Sequence, residues 1–107
     1  MKSEPGFAVL YRWRLHPGAE ERFVQAWAEV TRLLLKERGS LGSRLHRGDD
    51  NVWYSYAQWP SEQMRETSMA LPPVSATARE TMRGCIAEEL PEVVLRSVSD
   101  FMVTIPE

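Results

Sequence analysis

The chain has 107 residues, enough for one hydrophobic core and too few for two. Apolar residues make up 43 % and charged residues 26 % of it, a globular composition that excludes intrinsic disorder. The net charge is −2, from 13 Lys plus Arg against 15 Asp plus Glu, and no basic run exceeds two residues, so a nucleic-acid partner has no electrostatic footprint.

In residues 7–15, FAVLYRWRL, the apolar Phe7, Val9, Tyr11, Trp13 and Leu15 fall at every second position, while Ala8, Leu10, Arg12 and Arg14 take the other face. Period two predicts a strand with one fully apolar face. His16-Pro17-Gly18 breaks it. From Ala19 to Arg38 the period changes: Phe23, Ala26, Trp27, Val30, Leu33, Leu34 and Glu37 form one stripe of a helix. Glu20 and Glu21 at its start, and Arg32, Lys36 and Arg38 near its end, complement the helix dipole, with Gly39 as the C-terminal cap.

Strands over 40–47 and 51–59 flank Gly48-Asp49-Asp50-Asn51, a hairpin signature. Trp53, Tyr54, Tyr56 and Trp59 crowd the second of them. Alternation sends Trp53, Ser55, Ala57 and Trp59 to one face and Val52, Tyr54, Tyr56 and Gln58 to the other, so the aromatics serve two surfaces. Pro60-Ser61 starts a short helix over 61–70, interrupted at Leu71-Pro72-Pro73-Val74. A further helix follows, with Ala78, Met82, Cys85, Ile86 and Leu90 as its stripe, and a last strand over 93–105 with a bend at Asp100. Met64, Met69 and Met82 are expected to fill gaps above the sheet.

The string strand-helix-strand-strand-helix-strand predicts an α+β, ferredoxin-like βαββαβ fold, a four-stranded antiparallel sheet with helices on one face. One domain is expected over 1–107, with its core in about 7–105. Helices cover a single face, yet Leu10, Val52, Tyr54, Tyr56, Val94, Val98 and Met102 load the other. Another copy of the same sheet would cover it, so a homodimer is expected, anchored by Tyr54 and Tyr56. Cys85 excludes an intramolecular disulfide and sits on an apolar stripe, as an inert buried thiol would. Two histidines and one cysteine far apart make no metal site. The polar N-terminus MKSEPG and the absence of a long apolar run point to a cytoplasmic protein with no membrane partner.

The segments LHPGAEERFVQAWAEVTRLL, GSLGSRLHR and YSYAQWPSEQM, in that order and spacing, resemble the antibiotic biosynthesis monooxygenase family over roughly residues 7–105. The resemblance implies a dimeric α+β barrel joined by face-to-face sheets, with a ligand held between sheet and helices in each subunit. It also implies that the protein oxidises a small aromatic or quinol-like compound with O2, with no metal, flavin or other cofactor. The family's haem-degrading members use an Asn on the first strand, a Trp in the helix after the third and a later His. The counterparts here are Tyr11, Ser68 and Ala78, and none matches.

A cofactor-free oxygenase needs a dry flat pocket, a base that makes the substrate an anion, and a donor to the developing oxyanion. The residues expected in these roles are His46 as base, Tyr11 as donor and Arg44 as charge partner, with Trp13, Trp27 and Trp59 as pocket walls. His16, in its Pro-Gly turn, is the weaker histidine and is expected to be solvated. Two other functions fit the same residues: a non-catalytic small-molecule-binding or stress-response module, and an isomerase or decarboxylase that needs the base and donor but not O2.

Overall fold

The computed structural model describes residues 6–103. Along the chain run β1 (Phe7–Leu15), α1 (Glu20–Glu37), β2 (Gly42–Arg47), β3 (Trp53–Trp59), α2 (Glu62–Met69), α3 (Ala76–Cys85) and β4 (Ile86–Arg96). The strands form one antiparallel sheet in the order β2-β3-β1-β4, the expected ferredoxin-like arrangement.

The odd-numbered residues of β1 face the helices. Trp13 meets Phe23 of α1 edge-on, with ring centroids 5.2 Å apart, and Phe23 meets Trp53 of β3 in the same way at 6.2 Å. Ala19 and Cys85 complete this cluster, and Met82 packs against it. Phe7, Val9 and Trp59 form a second cluster beneath Leu34. Edge-to-face aromatic packing adds to area burial and fixes one relative orientation of α1 on the sheet.

Local signals set the boundaries. Gly39 takes φ +79°, which lets the Ser40 N–H reach back to the Leu34 carbonyl and end α1. In the β2–β3 turn Asn51 takes φ 63°, and Asp50 Oδ1 accepts the Val52 N–H. A side chain at Gly48 would strike Asp50 and Tyr54, with its Cβ only 2.5 Å from Asp50 Oδ1. Ser61 and Ser75 cap α2 and α3 by accepting the N–H of Met64 and Ala78.

The C-terminal third departs from expectation. The helix predicted to carry Ile86 and Leu90 ends at Cys85, and the chain passes directly into β4. Ile86 already takes extended backbone, φ −90° and ψ 122°, and from it to Arg96 the chain pairs along β1, so ladder hydrogen bonds with β1 replace further helical turns. The last strand therefore spans 86–96 rather than 93–105. Asp100 accepts the Met102 N–H in a turn, and positions 104–105 lie outside the described residues. Facing assignments change with the register. Val94 lies opposite Val9 on the helix face, while Val93 and Leu95, opposite Leu10 and Ala8, carry the open face. Val98 and Met102 are not in a strand at all; they are 98 % and 82 % exposed.

Candidate active site

Tyr11, Ser55 and Leu45 form one row across the helix face of the sheet. The Tyr11 ring lies parallel to Trp13, 5.9 Å between centroids and 2° between planes. Above Ser55, the Trp27 indole N–H of α1 donates to the Ser55 hydroxyl at 3.0 Å. That bond satisfies a buried hydroxyl and fixes the Trp27 ring.

Tyr11 Oη accepts two hydrogen bonds from Arg65 of α2, from Nε at 3.3 Å and Nη2 at 3.1 Å. The same Nη2 donates to Glu92 of β4 at 2.9 Å. Glu92 reaches this position through a β-bulge: Leu10 pairs with Val93 and Arg12 with Leu90, so Pro91 and Glu92 together oppose Tyr11. Arg12 braces the bulge with two hydrogen bonds to the Pro91 carbonyl. The bulge thus turns a carboxylate toward the helix side, where an arginine meets it.

Electrostatics follow from burial. Removal from water pushes the Tyr11 hydroxyl above its ordinary pKa, and Arg65 offsets only part of that rise, so the phenol is neutral near neutral pH. Burial works against the Arg65 charge, but the bonds to Tyr11 and Glu92 more than compensate. The guanidinium is a permanent cation with a side chain only 11 % exposed.

The structure separates the residues expected to act together. Arg44 lies opposite Tyr56 and His46 opposite Tyr54, both exposed on the face away from Tyr11. Strand alternation is the cause: Tyr11 shares its row with Leu45, and both neighbours of Leu45 point the other way. Arg44 instead lines a cleft of about 720 Å³ on that open face, with Ala8, Tyr56, Gln58, Leu95 and Met102. Trp13 lies parallel to Tyr11 and Trp27 packs against the same cluster, while Trp59 is buried with Phe7 and Val9 in the second cluster, against which Tyr11 also packs. His16 is exposed in its turn.

Arg65 and Glu92 were not foreseen. Met64 and Met69, expected to fill gaps above the sheet, are 40 % and 64 % exposed, and the arginine between them turns inward instead. Pro91, two residues before the run read as a strand, was the available sign of the bulge. The two remaining haem-degrader counterparts hold structural places: Ser68 is buried with its hydroxyl accepting from Arg38, and Ala78 is buried on α3. Among the described residues no group of three His, Cys, Asp or Glu is placed to hold a metal ion, and no helix is long and apolar enough to cross a membrane.

No curated protein matches the sequence at significance. Solved structures do match the fold. SnoaB, a cofactor-independent oxygenase from Streptomyces nogalater, is 16 % identical with a TM-score of 0.75, covering 91 % of this chain and 97 % of its own. A conserved protein from Methanosarcina mazei is 12 % identical at TM-score 0.73, covering 89 % and 95 % respectively. Rv0793 from Mycobacterium tuberculosis is 14 % identical at TM-score 0.71, covering 91 % and 99 %. At these identities the likeness concerns the fold; the sequence itself matches the antibiotic biosynthesis monooxygenase family over residues 6–80. With that match spanning well over half of its length, the chain belongs to the antibiotic biosynthesis monooxygenase family.

Proposed function

We propose that the protein is a homodimeric monooxygenase that oxidises a small aromatic or quinol-like compound with O2 and needs no bound cofactor. In a phenolic substrate the hydroxyl and the reacting ring carbon each give up one hydrogen, and that carbon becomes a carbonyl. One oxygen atom of O2 stays there, the other leaves as water, and the substrate supplies all four electrons. The protein's part is to orient the ring, exclude water and stabilise negative charge on the substrate oxygen. Supporting this reading is one arrangement above all: Tyr11, its ring parallel to Trp13 and its hydroxyl held by Arg65, in the row whose Ser55 anchors Trp27. In this reading Tyr11 is the donor and Arg65, not Arg44, is the charge partner.

Oxygen consumption by the purified protein with a panel of hydroquinones, naphthoquinols and polycyclic phenols tests it. Uptake should fall roughly 10²- to 10³-fold in Tyr11→Phe, the usual effect of losing one oxyanion donor, and persist in His46→Ala. Uptake lost in His46→Ala and kept in Tyr11→Phe would move the chemistry to the other face. No protein-dependent uptake across the panel would favour a binding module instead.

The homodimer belongs to the same proposal. Val93 and Leu95 on the open face are each 37 % exposed, and Met102, which lines the cleft there, is 82 % exposed, so a single chain leaves this apolar surface in water. A second copy laid on the open face would remove it, at about 25 cal/mol per Å².

A further inference from the structure

We infer that α2 is a lid: it swings off the sheet as one body while α1 and α3 stay in place, and in doing so uncovers Tyr11. What the opening admits rests on the proposed reading of the Tyr11 site; that α2 opens does not.

The three helices are held in different ways. α1 buries Phe23 and Ala26, and α3 buries Ala78 and Cys85. The inward stripe of α2 is Arg65 and Ser68, three positions apart on one face, and Ser68 is its one buried residue. Among the described residues neither apolar cluster takes a member from α2. Met69 is 64 % exposed, and Met64 lies close to Gly39 with 40 % of its surface in water. Hydrophobic burial therefore holds α1 and α3 down but scarcely holds α2.

Polar latches hold it instead, one at each end and one in the middle. At the first turn Glu62 pairs with Arg96 of β4 at 3.1 Å, both side chains exposed. In the middle Arg65 reaches Tyr11 and Glu92. At the last turn Arg38, the C-cap of α1, donates to the Ser68 carbonyl at 3.0 Å, to the Ser68 hydroxyl at 3.3 Å, and to the Pro72 carbonyl beyond the helix. Water can replace each of these bonds when it breaks, so releasing α2 costs far less than releasing an apolar helix. Exposed chain flanks α2 at Pro60–Ser61 and at Ala70–Pro73, where hinges can take up the change. The two main clefts both run beside Gly6 and Phe7 and are lined by neither Tyr11 nor Arg65, so a ligand at the Tyr11 hydroxyl needs α2 moved aside. Closed, α2 keeps water from that hydroxyl; open, it leaves room above it.

Native-state hydrogen exchange of the full chain, followed amide by amide by NMR, tests the lid. The amides from Arg65 to Ala70 should share one opening, at least about tenfold more frequent than that of the α1 and α3 amides. Its denaturant dependence should be much smaller than theirs, since little surface is exposed. Raising salt from about 0.01 M to about 1 M shortens the Debye length from about 30 Å to about 3 Å, and should speed exchange in α2 severalfold while leaving α1 and α3 nearly unchanged. Glu62→Gln and Arg38→Met should each do the same at low salt. Rates graded inward from the helix ends would mean fraying, and a denaturant dependence equal to that of α1 would mean that α2 leaves only when the whole chain unfolds. Either result, or no response to salt and to both variants, overturns the inference. Stopped-flow tryptophan quenching by 1-naphthol, counting only the phase that Tyr11→Phe weakens, then tests the way in. Its rate should level off with naphthol concentration, at a plateau that Glu62→Gln raises. A rate that stays linear and ignores both variants would show that the probe arrives without α2 moving, and would overturn the lid as the entrance. Absence of binding would strike the proposed Tyr11 site alone, and hydrogen exchange would still decide whether α2 opens.

Discussion

The two faces of the sheet are made by the same strands and use the same residue types, but they treat them differently. On the helix face Tyr11 is half-buried and bound to a largely buried arginine side chain. On the open face Tyr54 bonds an exposed carboxylate, Asp50, and Arg44 and His46 stand in water. Both tyrosines have raised pKa values, for different reasons. Burial leads at Tyr11, whereas a hydrogen bond to Asp50 leads at Tyr54. A residue type thus says little about its chemistry until the face it occupies is known.

The largest expected effect comes from breaking the helix face itself. Phe23 has no exposed surface and bridges Trp13 and Trp53. Phe23→Ala leaves a cavity between two indoles and should cost about 3–5 kcal/mol, measured from denaturant midpoints at constant m. A cost near zero would mean that α1 is not held to the sheet by this aromatic chain.

Under the proposed dimer the next largest effect lies in the apolar segment after β4, and it is intermolecular. Within one chain Phe101 is 92 % exposed, so Phe101→Asp should leave the stability of an isolated subunit nearly unchanged, within about 0.5 kcal/mol. Where a second copy covers it, losing a buried phenylalanine costs about 1.5–3 kcal/mol, which is roughly a 10- to 150-fold weaker dimer. Sedimentation equilibrium at several concentrations distinguishes the two. Unchanged association would show that Phe101 is not part of a subunit contact.

The contrast between faces also explains how far the sequence could be read. Strand alternation in β1 and β3 placed Trp13, Trp53 and Trp59 inward and Tyr54 and Tyr56 outward, because period two is a local property. The β2–β3 turn and the end of α1 were legible for the same reason. The C-terminal third was not, since Ile86 and Leu90 satisfy a four-residue helical step as readily as a two-residue strand step. Of the arrangement proposed around Tyr11, only Tyr11, Trp13 and Trp27 were legible in the sequence. Arg65 joins Tyr11 across 54 positions, and Glu92 joins Arg65 across 27 and through a bulge. No spacing rule spans such distances. His46 and Arg44 were named to act with Tyr11 because their chemistry suited the roles, but β-strand parity assigns them to the opposite surface.

The smallest expected effect concerns the tyrosine of the open face, and its sign can be worked out. The Tyr54 hydroxyl donates to Asp50 Oδ2 at 2.7 Å. This bond holds the Asp50 carboxyl below its ordinary pKa and the Tyr54 phenol above its own. The carboxylate's contribution to stability is therefore present above the ordinary Asp pKa and lost as pH falls through the lowered value. The phenol's contribution is present below the ordinary Tyr pKa and lost as pH rises toward the raised one. Asp50→Asn should accordingly lower the melting temperature slightly at neutral pH, and the difference from wild type should shrink at both acidic and alkaline pH. Tyr11 titrates on the alkaline side as well, but its rise stems first from burial, so Asp50→Asn leaves that loss of stability in place. A melting difference that stays constant from acid to alkali would mean that the Asp50–Tyr54 bond contributes nothing, and that burial alone distinguishes the tyrosines of the two faces.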